Sequence, residues 1–240
     1  GPAGGLGRSN GFLRRRIFDT PGSYTHDLPE GMPTERGLVR VMGWVVGAGA
    51  GGNDANEGGV NASGSGGGFS LKELWVPPGS SFSIIVGAGG PAKTSVITAR
   101  AGGTSSITIN GVTWSATGGQ NTAGGVGSGG LINTSGGGQV VNGSNTPSIS
   151  GSAAGSPWGS AATGAATFSA AGGKWRMPTF WDLDDIDAAT PFLTIDGIGA
   201  GTATGASLGT VGAIGTYGGG GVGGWQSATG GIGGLAMVYF

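Results

Sequence analysis

One residue in four of this chain lacks a side chain: 60 of its 240 residues are glycine. Average glycine usage is about 7%, and each glycine costs a helix roughly 1 kcal/mol relative to alanine. Long helices are therefore excluded. The collagen triple helix is excluded too, because glycine does not recur at every third position and there are only 11 prolines. A solvated glycine linker would not carry 7 Trp, 8 Phe and 3 Tyr, which are large apolar anchors. The chain is expected to fold, as one or two domains.

Charge is scarce and unevenly placed. Charged residues make up 10% of the chain and the net charge is −1, which favours neither a nucleic-acid-binding face nor solvating disorder. The first hundred residues carry a small positive excess, and no charge occurs from Ala101 to Gly173. Lys174–Asp196 then holds Lys174 and Arg176 against Asp182, Asp184, Asp185, Asp187 and Asp196, after which charge vanishes to the end. The same 23-residue island contains no glycine. With no cysteine there is no disulfide, thiolate chemistry or Cys-ligated metal. No run of 18 apolar residues is present to span a membrane. Gly1-Pro2 has the form of a protease-tag scar, so the chain is expected to be a fragment of a longer protein.

The first half reads as antiparallel strands. Arg15–Asp19 leads into the Pro21-Gly22 turn, and Ser23–His26 returns. Leu38–Val46 ends in glycines, Phe69–Val76 is closed by Pro77-Pro78-Gly79, and Ser81–Val86 follows. Asn110-Gly111 between Ser105–Ile109 and Val112–Ser115 predicts a type I′ hairpin, whose two turn residues both need positive φ. Leu235–Phe240 supplies a closing strand. Trp44, Trp75 and Trp114 fall within these strands and are expected in the core, while Trp158 and Trp225 are left undecided between capping and exposure.

The second half has no hydrophobic period of either kind. Two readings compete there: flexible linker, and a bundle of extended polyglycine segments with about three residues per turn. In such a bundle the backbone groups bond between segments rather than within them. The apolar residues scattered through these tracts, among them Leu131, Val140, Trp158 and Tyr217, favour the bundle.

Taken in order, these pieces resemble a known family. Arg15-Arg16-Ile17-Phe18, Gly22-Ser23-Tyr24-Thr25, the strand Leu38–Val46 and the burst Gly47-Ala48-Gly49-Ala50-Gly51-Gly52 are similar to the glycine-rich distal domain of bacteriophage tail fibre and adhesin proteins. The pattern continues through Gly66-Gly67-Gly68-Phe69, Val86–Gly90, Gly102–Ser106, Ala116–Gly119, Tyr217–Gly221 and Gly230–Leu235, covering roughly residues 15–170 and 197–240. The resemblance implies a small β-sandwich with glycine-rich loops at the host-contacting tip of a fibre, most often a homotrimer. Related adhesins carry packed polyglycine helices. On this view the fold is all-β: an antiparallel β-sandwich base with glycine-rich loops or a polyglycine II helix bundle. Residues 1–14 are a tag remnant and linker to the upstream fibre. Residues 15–119, completed by 235–240, form the sandwich part, and 120–234 form the glycine-rich region with the insertion 174–196. That island has no counterpart in the family pattern.

Chemistry is weighed next. His26 beside Asp27 is the one histidine, and with no activated nucleophile nearby it reads as a turn or surface residue. Gly-x-Gly spacings carry no information about dinucleotides in so glycine-rich a chain, and no cofactor is expected. Asp182–Asp187 raises calcium, which takes six to eight oxygens. EF-hand spacing fails, however, and a solvated acidic loop or a short helix capped by Asp182 or Asp184 is the favoured reading, with direct ligand contact as the other. No metal is assigned.

The leading expectation is a virion adhesin without enzymatic activity, binding a bacterial surface receptor: a polysaccharide, a pilus or an outer-membrane protein. The alternative is a structural or assembly module that caps the fibre. An ice-binding bundle and a capsule depolymerase rank below both. The receptor site is expected in the island. Trp175, Phe180 and Trp181 would be anchoring surfaces, and Arg176, Asp182, Asp184 and Asp185 orienting polar groups. Its aromatics are equally those of a satellite core, which is the competing account.

Overall fold

The structure is a computed structural model that describes residues 14–53, 61–92, 100–139, 141–142, 151–152, 154–155, 160–161, 174–175, 195–196, 218–221, 228 and 230–240. These residues are strand, turn and extended backbone, with no helix among them. In chain order the strands are β1 (Arg15–Phe18), β2 (Gly22–Asp27), β3 (Val39–Val46), β4 (Asn61–Ala62), β5 (Phe69–Val76), β6 (Ser81–Val86) and β7 (Ser105–Ile109). They continue with β8 (Val112–Ala116), β9 (Gly127–Ser128), β10 (Ile132–Thr134), β11 (Val141–Asn142), β12 (Lys174–Trp175), β13 (Ile195–Asp196) and β14 (Leu235–Tyr239).

Two antiparallel five-stranded sheets dominate, in the orders β1-β14-β3-β5-β10 and β2-β6-β7-β8-β9. Alternation decides how they meet. Phe82, Ile84 and Val86 of β6, Ile107 and Ile109 of β7 and Trp114 of β8 point one way and are buried. Their neighbours Ser83, Thr25, Thr113 and Ser23 are exposed on the other face. The first sheet answers with Val39, Val41 and Val45 of β3 and Ala236 and Val238 of β14, and the two sets form one core. Trp114 reaches across it, its indole N–H donating to the Gly43 carbonyl at 3.1 Å. A side chain at Gly43 would overlap that indole ring, so glycine is required in the middle of this strand.

The first sheet is buried on its second face as well. Met42, Trp44, Val46, Phe69, Leu71, Leu235, Met237 and Tyr239 form a separate cluster that Ala154 packs against. Trp44 lies edge-on to Phe69, with ring centroids 5.9 Å apart. The cover ends before Trp75, which is 45% exposed. This corrects the expectation that all three strand tryptophans are core: Trp44 and Trp114 are, and Trp75 stands at the open end of its face. The expected hairpin is present, with φ of 49° at Asn110 and 76° at Gly111.

Eight strand ends share one end of this sandwich. β3, β6, β8 and β10 run out into glycine-rich stretches, and β5, β7, β9 and β14 begin from them. These stretches bond to one another. Along Gly47–Gly51, successive amides donate to Gly68, Gly103, Ile232, Ser65 and Arg100 carbonyls at 2.8–3.0 Å. The fourth donor thus returns to the stretch met by the first, and the fifth to that met by the second. The carbonyls of Ala48, Gly49 and Ala50 accept from Gly119, Gly90 and Gly221, so six other stretches surround this one. Ser63–Gly68 behaves alike: Gly64 and Gly67 donate to Gly221 and Gly218, and their carbonyls accept from Ser152 and Gly155. A methyl group on Gly49 would collide with the Gly219 carbonyl, and one on Gly64 with that of Ala50. Close approach of backbones is what excludes side chains here.

Candidate functional site

The glycine-free island expected to contact a receptor begins and ends in a two-residue antiparallel ladder, Lys174 opposite Asp196 and Trp175 opposite Ile195. Its two ends are therefore joined by backbone pairing at the limits where glycine and charge change in the sequence. Trp175 lies on this ladder. The other expected site residues, Arg176, Phe180, Trp181, Asp182, Asp184 and Asp185, lie outside the described residues, as do Trp158 and Trp225.

Farther along the glycine-rich stretches from the sheets, the described side chains become polar. Asn53 bridges to Ala62, and Ala62 pairs in turn with Val141 in the small β4–β11 ladder. The centre of this region is Arg100, 7% exposed. Its guanidinium donates from Nη1 to the Gly51 carbonyl at 3.3 Å and from Nη2 to the Asn121 carbonyl at 3.1 Å. Its own amide donates to the Asn121 side chain at 2.9 Å. With the Gln139 amide turned oxygen-inward, that oxygen accepts from Nη2 at 3.0 Å while its nitrogen donates to Asn121.

Every one of these acceptors is a neutral oxygen. Burial lowers the Arg100 pKa from its ordinary value, but a guanidinium remains charged in a protein. The positive charge is thus stabilised by converging carbonyl dipoles, and one side chain straps together the stretches around Gly51, Asn121 and Gln139. Sequence reasoning did not single it out. The available signal was its position as the last charged residue before the charge-free stretch that starts at Ala101.

His26 is a strand residue rather than the turn residue that its neighbours in sequence suggested, and it is only partly exposed. It belongs to β2, opposite Phe82, and its ring packs against Phe240 at 5.0 Å, Phe18 at 6.1 Å and Phe82 at 6.3 Å between centroids. Its Nε2 is buried and makes no hydrogen bond. Burial lowers its pKa, Arg16 lowers it further, and Asp27 opposes both. Among the described residues no three His, Asp or Glu side chains come together in a way that would hold a metal ion.

No family model matches this chain, and no curated protein matches it.

Proposed function

We propose that this chain is the receptor-binding tip of a bacteriophage tail fibre, a non-catalytic adhesin on the virion that recognises a bacterial surface structure. The observation that carries the reading is the three-residue recurrence of backbone bonds along Gly47–Gly51 and Ser63–Gly68. Donors that return to the same neighbour at i and i+3 are what a helix of three residues per turn requires. On this basis the glycine-rich stretches are a polyglycine II bundle. At about 3.1 Å per residue, the seven residues from Asn53 back to Gly47 correspond to about 20 Å of platform beyond the sheets. A platform without side chains loses little entropy on binding and leaves discrimination to the elements it displays.

The Lys174–Asp196 island is the element richest in such side chains, and pairing at its base supports its being a discrete excursion. Trp175, Phe180 and Trp181 provide flat apolar faces. Arg176, Asp182, Asp184 and Asp185 orient the partner, which is a surface polysaccharide, a pilus or an outer-membrane protein. The chain would act as a homotrimer attached to upstream fibre segments, with several copies adding avidity. Neither nucleic acid nor insertion into a membrane enters this mechanism.

The test replaces residues 176–194 with a short Gly/Ser linker, keeping the ladder, and measures melting and adhesion to a panel of bacterial strains. The expected result is an unchanged melting transition with adhesion lost. Adhesion at unchanged strength moves the site elsewhere on the chain. If the intact chain adheres to no strain and fibres lacking it fail to assemble, the capping module is the better account.

A further inference from the structure

We propose that His26 is a proton-sensitive latch on the edge of the sandwich: the neutral imidazole holds the edge closed, and its protonation opens it. The argument starts from position. Phe18 comes from β1 and Phe240 follows β14, both in the first sheet, whereas His26 on β2 and Phe82 on β6 belong to the second. The imidazole therefore sits where the two sheets meet along one side, against rings from both. The strand held there is also the one through which residues 1–13 join the sheets. It is tied by paired bonds, Arg14 N–H to the Phe240 carbonyl at 2.8 Å and Phe240 N–H to the Arg14 carbonyl at 3.0 Å.

Neutral imidazole suits this environment. One ring nitrogen can remain an unprotonated acceptor, and leaving a neutral acceptor unbonded away from water costs less than burying a charge there, although the ring faces attract a cation weakly. On protonation Nε2 becomes a charged donor at an atom that is buried and has no acceptor. The groups around it offer little help. On β1, Arg16 is of like charge, and on its own strand Asp27 is the one favourable charge. Tyr24, on the same side of β2, commits its hydroxyl to the Thr20 carbonyl at 2.7 Å. From β6 the ring meets Phe82, and beyond β14 it meets Phe240. His26 is partly exposed, so it is the charged Nε2 that must reach water, which it does by displacing the Phe18 and Phe240 rings and loosening the contact of β1 and Phe240 with β2. The direction follows from linkage: the unfolded or opened form takes up the proton more readily, so closure is complete above the ordinary histidine value of 6.5 and weakens as pH falls through the lower folded value.

The experiment follows two signals in the full chain between about pH 7.5 and about pH 4.5. Because His26 is the one histidine, its Cε1 proton gives an unambiguous NMR titration. Hydrogen exchange at the Arg14 and Phe240 amides, corrected for intrinsic chemistry, reports the edge. The expected result is titration below 6.5 together with a protection loss of about tenfold per unit of pKa displacement, confined to β1, β2 and Phe240. His26→Phe should abolish that loss and keep the edge protected in acid. A titration at or above 6.5 overturns the proposal, as does an equal acid loss in His26→Phe. Should that variant fail to fold, the wild-type titration and the location of its protection loss decide the matter alone.

Discussion

The sheets and the glycine-rich stretches exclude water equally well, by opposite means. In the sheets, Trp114, Phe82, Ile84 and Ile107 fill the interior with side chains. In the stretches, Gly47, Gly64 and Gly67 are equally enclosed because backbone lies directly on backbone. The first region spends the alternation of its residues on choosing an inside, and the second has none to spend. Its order comes from hydrogen bonds that run from each stretch to several others, with most of its glycine Cα atoms lying against a neighbouring backbone carbonyl. Close packing therefore does not require large side chains, only that every polar group of the main chain finds a partner.

The largest way to break this comparison is through the sheet core. Trp114→Ala removes the largest fully buried side chain among the described residues and its bond to Gly43. The expected cost is about 3–5 kcal/mol, measured by denaturant unfolding. Since eight strand ends continue directly into the glycine-rich stretches, both regions should lose exchange protection in one transition. Two separate transitions would mean that the stretches hold together without the sheets.

The next effect comes from a pair of neighbours. Ala48 and Gly49 are adjacent and both buried, but the Ala48 methyl is accommodated while one at position 49 would overlap the Gly219 carbonyl. Gly49→Ala should cost about 3 kcal/mol, at the upper end of overpacking. Exchange should rise at Gly49, Ile232 and Gly221, which bond across that contact. Ala48→Gly should cost only about 1 kcal/mol, the loss of one buried methyl and some backbone entropy. Equal costs at the two positions would contradict backbone-on-backbone packing. Of the same size as Ala48→Gly is Gly111→Ala in the hairpin turn, where a φ of 76° sets an expected penalty of about 1 kcal/mol.

How much of this was legible in the sequence follows the same division. The long strands were readable because β-branched and aromatic residues alternate between turn-forming pairs. Arg15–Phe18, Ser81–Val86, Ser105–Ile109 and Leu235–Tyr239 fall within a residue of where the pattern put them. The short edge strands β9 and β10 were not, since Gly127-Ser128 has no apolar side to reveal. Trp75 was misjudged for a different reason. Parity gives the face on which a residue stands, but only the pairing of β5 with β3 and the extent of cover along that face decide whether it is buried. In the glycine-rich stretches composition announced close packing, yet which stretch neighbours which is carried by hydrogen bonds that no side chain encodes. His26 was hidden because Phe18 and Phe240 reach it from opposite ends of the chain. The island was marked by its lack of glycine, and its closure at Lys174–Trp175 and Ile195–Asp196 was not.

The smallest expected effect separates the two regions by charge. Arg40 and Glu73 form an ion pair, Nε to Oε1 at 2.6 Å, with side chains 27% and 26% exposed. They sit diagonally on adjacent strands, since Arg40 is opposite Trp75 and Met42 opposite Glu73. Partial exposure leaves water to screen both groups, so a double-mutant cycle with Arg40→Gln and Glu73→Gln should give a coupling of about 0.2–1 kcal/mol. In about 1 M salt, where the screening length is about 3 Å, that coupling should fall well below its low-salt value. The amides of Gly47–Gly51 should respond differently. Their bonds join neutral groups, and among the described residues Arg100, whose guanidinium donates to the Gly51 carbonyl, is held by carbonyl oxygens. Their exchange protection should not change across the same range of salt. Protection that falls as salt rises would make the Arg100 charge, and not the interleaved backbones, the principal tie at that end of the molecule.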